Sequence, residues 1–564
     1  MKARTLSLTL LLTLSSGNHA SNLDTQRYIQ SIEQANGIRY ETIVNTRASY
    51  ITPMCYTQTK DSTTGKISNP CYSCHTKGKI PNYTNDSELQ LEHNFPEEMM
   101  KNPFTNFFKD RSEAVAAISN ETIVNYVNRS NYFDKNGSIE LHRLLPRDWQ
   151  GYRPDCYYHF DDLGFDRAPD GGYTGWRAFR YYPFLGTFWP TNGSTDDVLI
   201  RLSSLLQQDK NGVFDRDTYR LNLAIVEAVV KQKTILLPAS LDEKKYGVDL
   251  NQNGTLGTAK EVVFNPREYF TKMSYAGKAR EALKRGTLHL AGGLFPEGTE
   301  FLHSVRYIGC DAKAQHVTMA RRMKELRYAR KVSWSNYSTL DRAAQAEMRE
   351  SEVNQETQTQ AEVWQGSYEK GLQTGTGWVY QGFIEARDGS LRPQTHEETI
   401  SCMGCHAGIG TTTDTVFAFP RKFEGTRPDE KMYGWNHWSQ KGLVGIPEPK
   451  ASYLGVGEKY EYSYYLQNNH SGNEFRDNDE VQKKFFNADG TIKKAMIEQL
   501  HHDISPLLFP SKTRAMKLNK SHKVLVDEQG YIYGRDANVK PMNNVCKKIG
   551  EGQVTQIKEP IVQQ

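Results

Sequence analysis

The sequence predicts an α+β protein that is rich in loops, and three observations support this fold class. Helical periodicity is expected near residues 22–37, 219–232 and 312–365. Alternating patterns typical of strands lie near residues 175–185, 300–308 and 379–395. These elements follow one another irregularly, without the βαβ rhythm of a parallel sheet, so we expect a mixed architecture.

The predicted helices differ in their apolar content. The first ends at Gly37, a residue that suits a helix C-terminus. Residues 219–230 form the most apolar helix in the chain and are expected in a core. Residues 312–332 are predicted to be helical because apolar residues recur at helical spacing, at Met319, Met323 and Leu326. Residues 339–365 are expected to continue as a polar, exposed helix.

Two hairpins are expected in the second half of the chain. Residues 379–385 alternate, Asp388 and Gly389 form a turn, and Leu391 starts the returning strand. A second hairpin is centred on residues 527–530, after a helix near residues 492–502. These elements divide the chain into five predicted regions: a signal peptide at 1–20, an N-terminal region at 21–150, a central mixed domain at 151–375, a further region at 376–450 and a C-terminal region at 451–564.

The first twenty residues have the three parts of a secretory signal. Lys2 and Arg4 are the positive start, residues 6–14 are apolar, and Asn18-His19-Ala20 resembles a cleavage site. The apolar run is too short to span a bilayer. We therefore expect export to the periplasm, with full secretion as second choice, and no stable membrane insertion. No cysteine sits at the cleavage site, so no lipid anchor is expected.

The charge balance argues against nucleic acid as a partner. The formal net charge is +4 in 564 residues, and a balance this small gives no strong field for polyanions or anionic membranes.

A five-residue pattern occurs twice and dominates the chemistry that can be predicted. The pattern is Cys-x-x-Cys-His, at Cys71, Cys74 and His75 and again at Cys402, Cys405 and His406. Two thiols at this spacing can each form a thioether to a haem vinyl group, and the histidine that follows can ligate the iron. The pattern predicts two covalently bound haem c groups.

These motifs resemble those of the bacterial c-type cytochromes. The resemblance covers the two pentapeptides and their neighbourhoods, and the rest of the chain remains unassigned. It implies that His75 and His406 are proximal iron ligands. It also implies cytochrome c-like haem-binding regions, at 21–150 and 376–450, around the larger central domain.

The second axial ligand of each predicted haem has several candidates. For the first motif they are His93, Met99 and Met100, and Met99 is our choice. For the second motif His437, which lies between two tryptophans, is preferred over Met432 and His396.

Two functions are compatible with a di-haem c-type cytochrome. The first is electron transfer between redox partner proteins. The alternative is a di-haem oxidoreductase, peroxidase- or oxygenase-like, with one open haem site for a small-molecule substrate. The sequence identifies no catalytic acid–base pair, so whether the protein is an enzyme stays open.

Two further features are compatible with more than one interpretation. Four other cysteines suggest two disulfides in an oxidising compartment, or alternatively buried thiols, at Cys55, Cys156, Cys310 and Cys546. Asp249, Asn251 and Asn253 followed by Gly254 match the first half of a calcium loop. The twelfth position, however, is Lys260 where a glutamate is expected, so a plain Asn-Gly turn is preferred over a calcium site.

Overall fold

The computed structural model describes most of the chain from residue 100 to residue 548 and short segments before it. The described residues are 23–38, 52–57, 59–60, 67–68, 71–74, 76, 78, 81, 100–265, 272–311, 314–352, 366–406, 408–424, 434–440, 442–453, 457–468 and 478–548. The predicted signal peptide lies outside them, as do His75, His93, Met99 and Met432. Within the described residues, no helix is long and apolar enough to cross a membrane.

The protein is a mixed α+β structure built on one large antiparallel sheet, which confirms the predicted α+β class. The strands are β1 (Thr59–Lys60), β2 (Ile67–Ser68), β3 (Phe165–Arg167), β4 (Tyr173–Phe179), β5 (Thr195–Arg201), β6 (Ile235–Asp242), β7 (Thr258–Val262), β8 (Glu300–Gly309), β9 (Thr318–Lys331), β10 (Gly366–Ser367), β11 (Gly371–Gln373), β12 (Trp378–Glu385), β13 (Leu391–Pro393), β14 (Lys450–Tyr453) and β15 (Gly457–Tyr460).

Nine of these strands form the central sheet. Its order is β10-β11-β12-β9-β8-β5-β4-β3, with β13 paired to β12. The pairs β1–β2, β6–β7 and β14–β15 form separate two-stranded sheets. Because β12 pairs with β9 along seven residues, the predicted boundary between residues 375 and 376 lies inside the central sheet.

The helices surround this sheet. Their bounds are Leu23–Asn36, Cys71–Cys74, Ser112–Ala117, Asn120–Asn128, Glu140–Leu144, Arg216–Lys231, Glu243–Tyr246, Lys278–Lys284, Tyr337–Glu352, His396–Ile400, Glu461–Asn468, Asp479–Phe485, Lys494–Leu500, Ser505–Leu508 and Lys512–Glu528.

The apolar helix Arg216–Lys231 confirms the prediction made from its sequence. The Asp215 side chain caps it by accepting a hydrogen bond of 2.6 Å from the Thr218 amide. Gln232, in the left-handed region at φ 50°, ends it. Its buried residues pack with Phe301 of β8 and Trp378 of β12 on one face of the sheet. Trp176, Leu302 and Phe383 pack on the other face, against residues from 132 to 160.

The predicted helix at 312–332 is wrong, because this segment contains the long central strand β9. The apolar spacing misleads since both faces of β9 are covered, so the strand shows no alternation between buried and exposed residues. Its basic residues are also buried where they have partners, as for Arg322, which pairs with Glu385. The register between β8 and β9 shifts after Val305 and again after Arg306, which further disturbs a period of two.

The C-terminal hairpin predicted at 527–530 is also wrong. Residues Lys512–Glu528 form a helix that ends at Gln529, which has φ 54°. Asp527, Glu528 and Gly530, which suggested a turn, therefore lie at the end of a helix.

The structure carries the four additional cysteines as thiols. Cys156 is buried among aromatic residues beneath the sheet, and Cys310 packs in another cluster. Cys55 and Cys546 pack in a third cluster, around Tyr56 and Phe104. The prediction of two disulfides is therefore not confirmed.

A buried ion pair ties the end of β9 to the chain that follows the second motif. The Lys331 Nζ atom lies 2.7 Å from Asp414 Oδ1 and 2.8 Å from Oδ2. Both side chains are 1% exposed. Lys331 also donates to the Thr376 carbonyl at 2.7 Å, and Asp414 accepts from the Phe295 amide at 3.1 Å. With these extra partners the pair fixes three chain segments together.

We expect Asp414→Ala to destabilise the protein strongly, because it leaves the Lys331 ammonium buried without its carboxylate. The expected loss in free energy of unfolding is about 3–5 kcal/mol, measured by chemical denaturation. The matched control is Glu458→Ala, which removes an exposed pair with Lys450 and should cost no more than about 0.5 kcal/mol. Equal losses in both variants would contradict the structural role of the buried pair.

Candidate functional site

The structure brings the two cysteine motifs together. Cys71 and Cys402 are 331 positions apart in the sequence, yet Cys74 lines the same cavity as Cys402, Cys405 and His406. This cavity has a volume of about 160 Å³. The motifs therefore belong to one site.

Backbone contacts hold the two motifs beside the same cavity. The Thr411 amide donates a hydrogen bond of 3.1 Å to the Cys74 carbonyl. Gly410 is needed beside it, since a Cβ atom there would lie 2.0 Å from the Thr76 carbonyl oxygen. Only glycine allows the two backbones to approach so closely.

A short helix leads the chain into the second motif. The helix His396–Ile400 starts with a capping box, in which Thr395 and Glu398 bond each other's backbone amides. The chain continues in turns, and the amides of Cys405 and His406 both donate to the Cys402 carbonyl at 3.2 Å. The two thiols and the imidazole are therefore presented within about one turn of backbone.

The orientation of the His406 ring is set by one hydrogen bond. Its Nδ1 atom lies 2.9 Å from the Thr415 carbonyl oxygen, and a carbonyl can only accept, so Nδ1 carries the proton. Burial lowers the pKa of His406 to about 4. The ring is therefore neutral near pH 7, and the Nε2 lone pair is available to a metal.

The turn that supplies the Thr415 carbonyl has an unfavourable backbone conformation. Asp414 has φ 52° and Thr415 has φ 61°, and a β-branched residue such as threonine rarely adopts this region. The ion pair between Lys331 and Asp414 holds this turn in place. The strain lies beside the motif, which is where functional sites commonly accumulate it.

A second cavity adjoins the first. It has a volume of about 80 Å³ and is lined by His303 and Gln394 among other residues. Both cavities share five lining residues: Phe188, Arg327, Cys402, His406 and Phe417. The Arg327 guanidinium carbon lies 4.6 Å from the centre of the Phe188 ring. This stacked pair and the second motif thus border both cavities.

Lys324 adds a buried positive charge to the larger cavity. Its side chain donates to the Gly193 carbonyl at 2.6 Å and to Ser194 Oγ at 3.0 Å. Burial lowers its pKa to about 7. Among the residues that the structure describes, no carboxylate oxygen lies within 4.0 Å of this ammonium, so an anionic group in the cavity would stabilise it.

Several buried polar atoms around the larger cavity also make no hydrogen bond within the protein. They include both amide atoms of Asn192, the Thr411 hydroxyl and the Arg535 Nε atom. Buried polar groups are rarely left unsatisfied in a folded protein. Their concentration here favours a polar, partly charged ligand.

His437 lies in a different contact network from the one predicted for it. Its Nε2 atom is 2.8 Å from Asp197 Oδ2, and its Nδ1 atom is 2.8 Å from Ser439 Oγ. The ring stacks on Phe160. Both nitrogens thus have partners within the protein, and a role of His437 as an iron ligand stays a prediction.

The remaining predicted ligands are only partly described. Cys71 belongs to the short helix Cys71–Cys74, and its side chain is not among the described ones. Met100 packs in a cluster with Tyr56 and Phe104, and Phe104 lines the larger cavity. His396 opens the helix before the second motif.

Three further residues that line the cavities lie on the central sheet. His303 lies on β8, while Lys324 and Arg327 lie on β9. The alternating pattern near residues 300–308 predicted that His303 lies on a strand, but it did not indicate a cavity there. Lys324 and Arg327 lie in the segment that was predicted to be helical, so their position on a strand beside the cavities could not be predicted.

No conventional metal cluster accompanies this site. In the part of the chain that the structure describes, no group of three or more His, Cys, Asp or Glu side chains could hold a metal ion. At the predicted calcium loop, the Asp249 carboxylate accepts from the amides of Asn253 at 3.2 Å and Gly254 at 2.8 Å. These bonds suit the Asn-Gly turn, and calcium stays a prediction.

Comparison with known proteins gives the family. A family model described as "-like lipoprotein" matches residues 42–502. An uncharacterized lipoprotein of Aquifex aeolicus (strain VF5) is 30% identical over 529 residues, which cover 86% of this chain and 84% of that protein. No solved structure matches. The family name supports the predicted export of the protein.

These matches correct the identification made from the motifs. The chain was predicted to be a di-haem c-type cytochrome, and this is wrong, because a lipoprotein family accounts for residues 42–502 whereas the motifs occupy two pentapeptides. The predictions of electron transfer and of a di-haem oxidoreductase rested on that identification and are wrong with it, whereas redox partners stay a prediction. Short motifs indicate local chemistry and do not define a family. The chain belongs to this family of lipoproteins.

Proposed function

We propose that the protein is an exported, periplasmic lipoprotein-family member that carries a covalently attached haem at Cys402, Cys405 and His406. One observation carries the proposal: both motifs border one cavity, into which a neutral histidine is oriented by the Thr415 carbonyl. Pairs of thiols next to a single neutral imidazole are the donor set of covalent haem attachment. The proposal concerns the cofactor and leaves its use in the cell open.

The donors present fit this cofactor. Each thiol can add its S–H bond across one vinyl C=C bond, with sulfur and hydrogen going to neighbouring carbons, so no oxidant is needed. His406 would supply the iron ligand through Nε2, while the Nδ1 bond to Thr415 keeps the ring in the required tautomer. Haem supplies its own four nitrogen ligands, which is why one histidine suffices without a cluster of other metal ligands.

The cavity surroundings fit a group that is apolar in its centre and anionic at its edge. Phe184, Phe188 and Phe417 provide the apolar walls. Lys324 provides a buried cation for a propionate. When bound, haem supplies an iron centre with redox and ligand-binding chemistry. The two cavities together are small for a macrocycle, so the side chains bordering both would have to move as it enters.

The first motif lies close enough to take part in the same site. Cys74 borders the cavity, whereas His75 lies outside the described residues. Attachment of a further haem at Cys71, Cys74 and His75 therefore stays a prediction.

We expect the double variant Cys402→Ser/Cys405→Ser to lose the haem attached at the second motif, because no thiol remains there to form a thioether. The measurement is the intact mass of protein expressed with a haem-maturation system, together with mapping of haem-bearing peptides. The mass should fall by one haem relative to the parent protein.

The control variant is Cys310→Ser, which removes a buried thiol far from both motifs. It should keep the parent's haem content. Parent protein without any haem on the peptide that contains Cys402 and Cys405 would overturn the proposal.

Lys324→Met separates a role in ligand binding from a role in stability. Removal of an unpaired buried charge should leave the melting temperature unchanged or raised. Haem loading under limiting haem should fall severalfold, because the cavity loses its cation. The control is Arg330→Met, which changes an exposed residue of the same strand and should alter neither quantity. A Lys324→Met variant that loads haem like the parent would contradict this role.

A further inference from the structure

A further cavity lies on the face of the central sheet that the helix Arg216–Lys231 covers. It has a volume of about 550 Å³ and opens between the helix Arg216–Lys231, strand β6 and Trp435. This volume lies within the range of small-molecule sites. None of its lining residues lines the cavity of the cysteine motifs.

Its walls are largely apolar. They include Leu221 and Ala224 of the helix and four apolar residues of β6, namely Ile235, Leu236, Leu237 and Leu241. Leu236 is 58% exposed at the opening.

Arg177 of β4 forms the polar end of this cavity. It is 4% exposed, and its Nε atom donates to the Leu163 carbonyl at 3.0 Å. The guanidinium carbon lies 4.0 Å from the centre of the Trp435 ring and 4.6 Å from that of Phe165. The arginine is therefore held rigidly between two aromatic rings.

Arg177 differs from the other cations that line the cavity. Lys422 pairs with Glu227 at 3.0 Å, Lys233 with Glu424 at 2.7 Å, and Arg220 with Asp217 at 3.3 Å. For Arg177, no carboxylate oxygen of the described residues lies within 4.0 Å. A guanidinium buried without a contacting carboxylate is costly, so an anion that reached Arg177 through the cavity would be stabilised there.

The charges around Arg177 agree with this interpretation. Burial, followed by repulsion from Arg220, lowers the pKa of Arg177 to about 9. Burial also lowers the pKa of Lys422 to about 8. A bound carboxylate would relieve both effects, and a planar guanidinium suits a carboxylate because it can donate two parallel hydrogen bonds.

We propose that this cavity binds an aliphatic monocarboxylate, with the carboxylate on Arg177 and the chain along the apolar wall of β6. The aromatic rings position the guanidinium, and the exposed Leu236 covers the end of the chain. This inference is independent of the proposed haem site.

Calorimetric titration of the full-length protein with decanoate tests the proposal. We expect saturable binding of one decanoate per chain. Arg177→Gln should weaken it by at least about tenfold, the loss expected for a charge-assisted hydrogen bond. Decanol, which has no charge, and acetate, which has no chain, should both bind much more weakly than decanoate.

Two further variants test whether decanoate binds in this cavity: one changes an arginine outside it and one changes its opening. Arg167→Gln removes an arginine that stacks on Tyr173 outside the cavity and should bind decanoate like the parent. Leu236→Glu places a negative charge at the exposed opening and should weaken binding without disturbing the core. The proposal is overturned if decanoate does not bind, if decanol binds equally well, or if neither Arg177→Gln nor Leu236→Glu weakens binding.

Discussion

The buried ion pair between Lys331 and Asp414 is the interaction on which the arrangement of the motif site depends. It joins the end of the long strand β9 to a turn in which two consecutive non-glycine residues have positive φ. That turn presents the Thr415 carbonyl to His406. A charge pair buried in the interior therefore determines which nitrogen of a histidine faces the cavity. Such pairs contribute less to net stability than to fixing one geometry, which is the role that this pair has here.

The central sheet explains how distant parts of the chain meet. Strands β8 and β9 provide His303, Lys324 and Arg327, and the second motif follows directly from β12, β13 and a short capped helix. The N-terminal motif reaches the same place through the contact of Cys74 with Thr411. Arg177 projects from β4 toward the apolar helix and borders the third cavity. One sheet thus organises two chemically different cavities.

The sequence predicted the α+β class, the apolar helix and the cysteine motifs, because each depends on local signals. The helix Arg216–Lys231 has apolar residues at helical spacing along its whole length. Cys402, Cys405 and His406 lie within five consecutive residues, so the motif is visible in the sequence. The sequence could not predict β9, since a strand covered on both faces loses its alternation, and paired basic residues such as Arg322 look solvated until their partners are known. The contact of His437 with Asp197 could not be predicted either, since the two residues are 240 positions apart. The family could be identified only by comparing most of the chain, residues 42–502, and the two pentapeptides are too short for that comparison.

The most direct test of the account is X-ray diffraction at the iron absorption edge from crystals of the protein expressed with a haem-maturation system. The account predicts an anomalous iron peak bonded to His406 Nε2, inside the cavity bordered by Cys74 and Cys402, with Nδ1 still bonded to the Thr415 carbonyl. Iron that is absent from this cavity, or a His406 ring whose Nε2 atom faces away from it, would contradict the account.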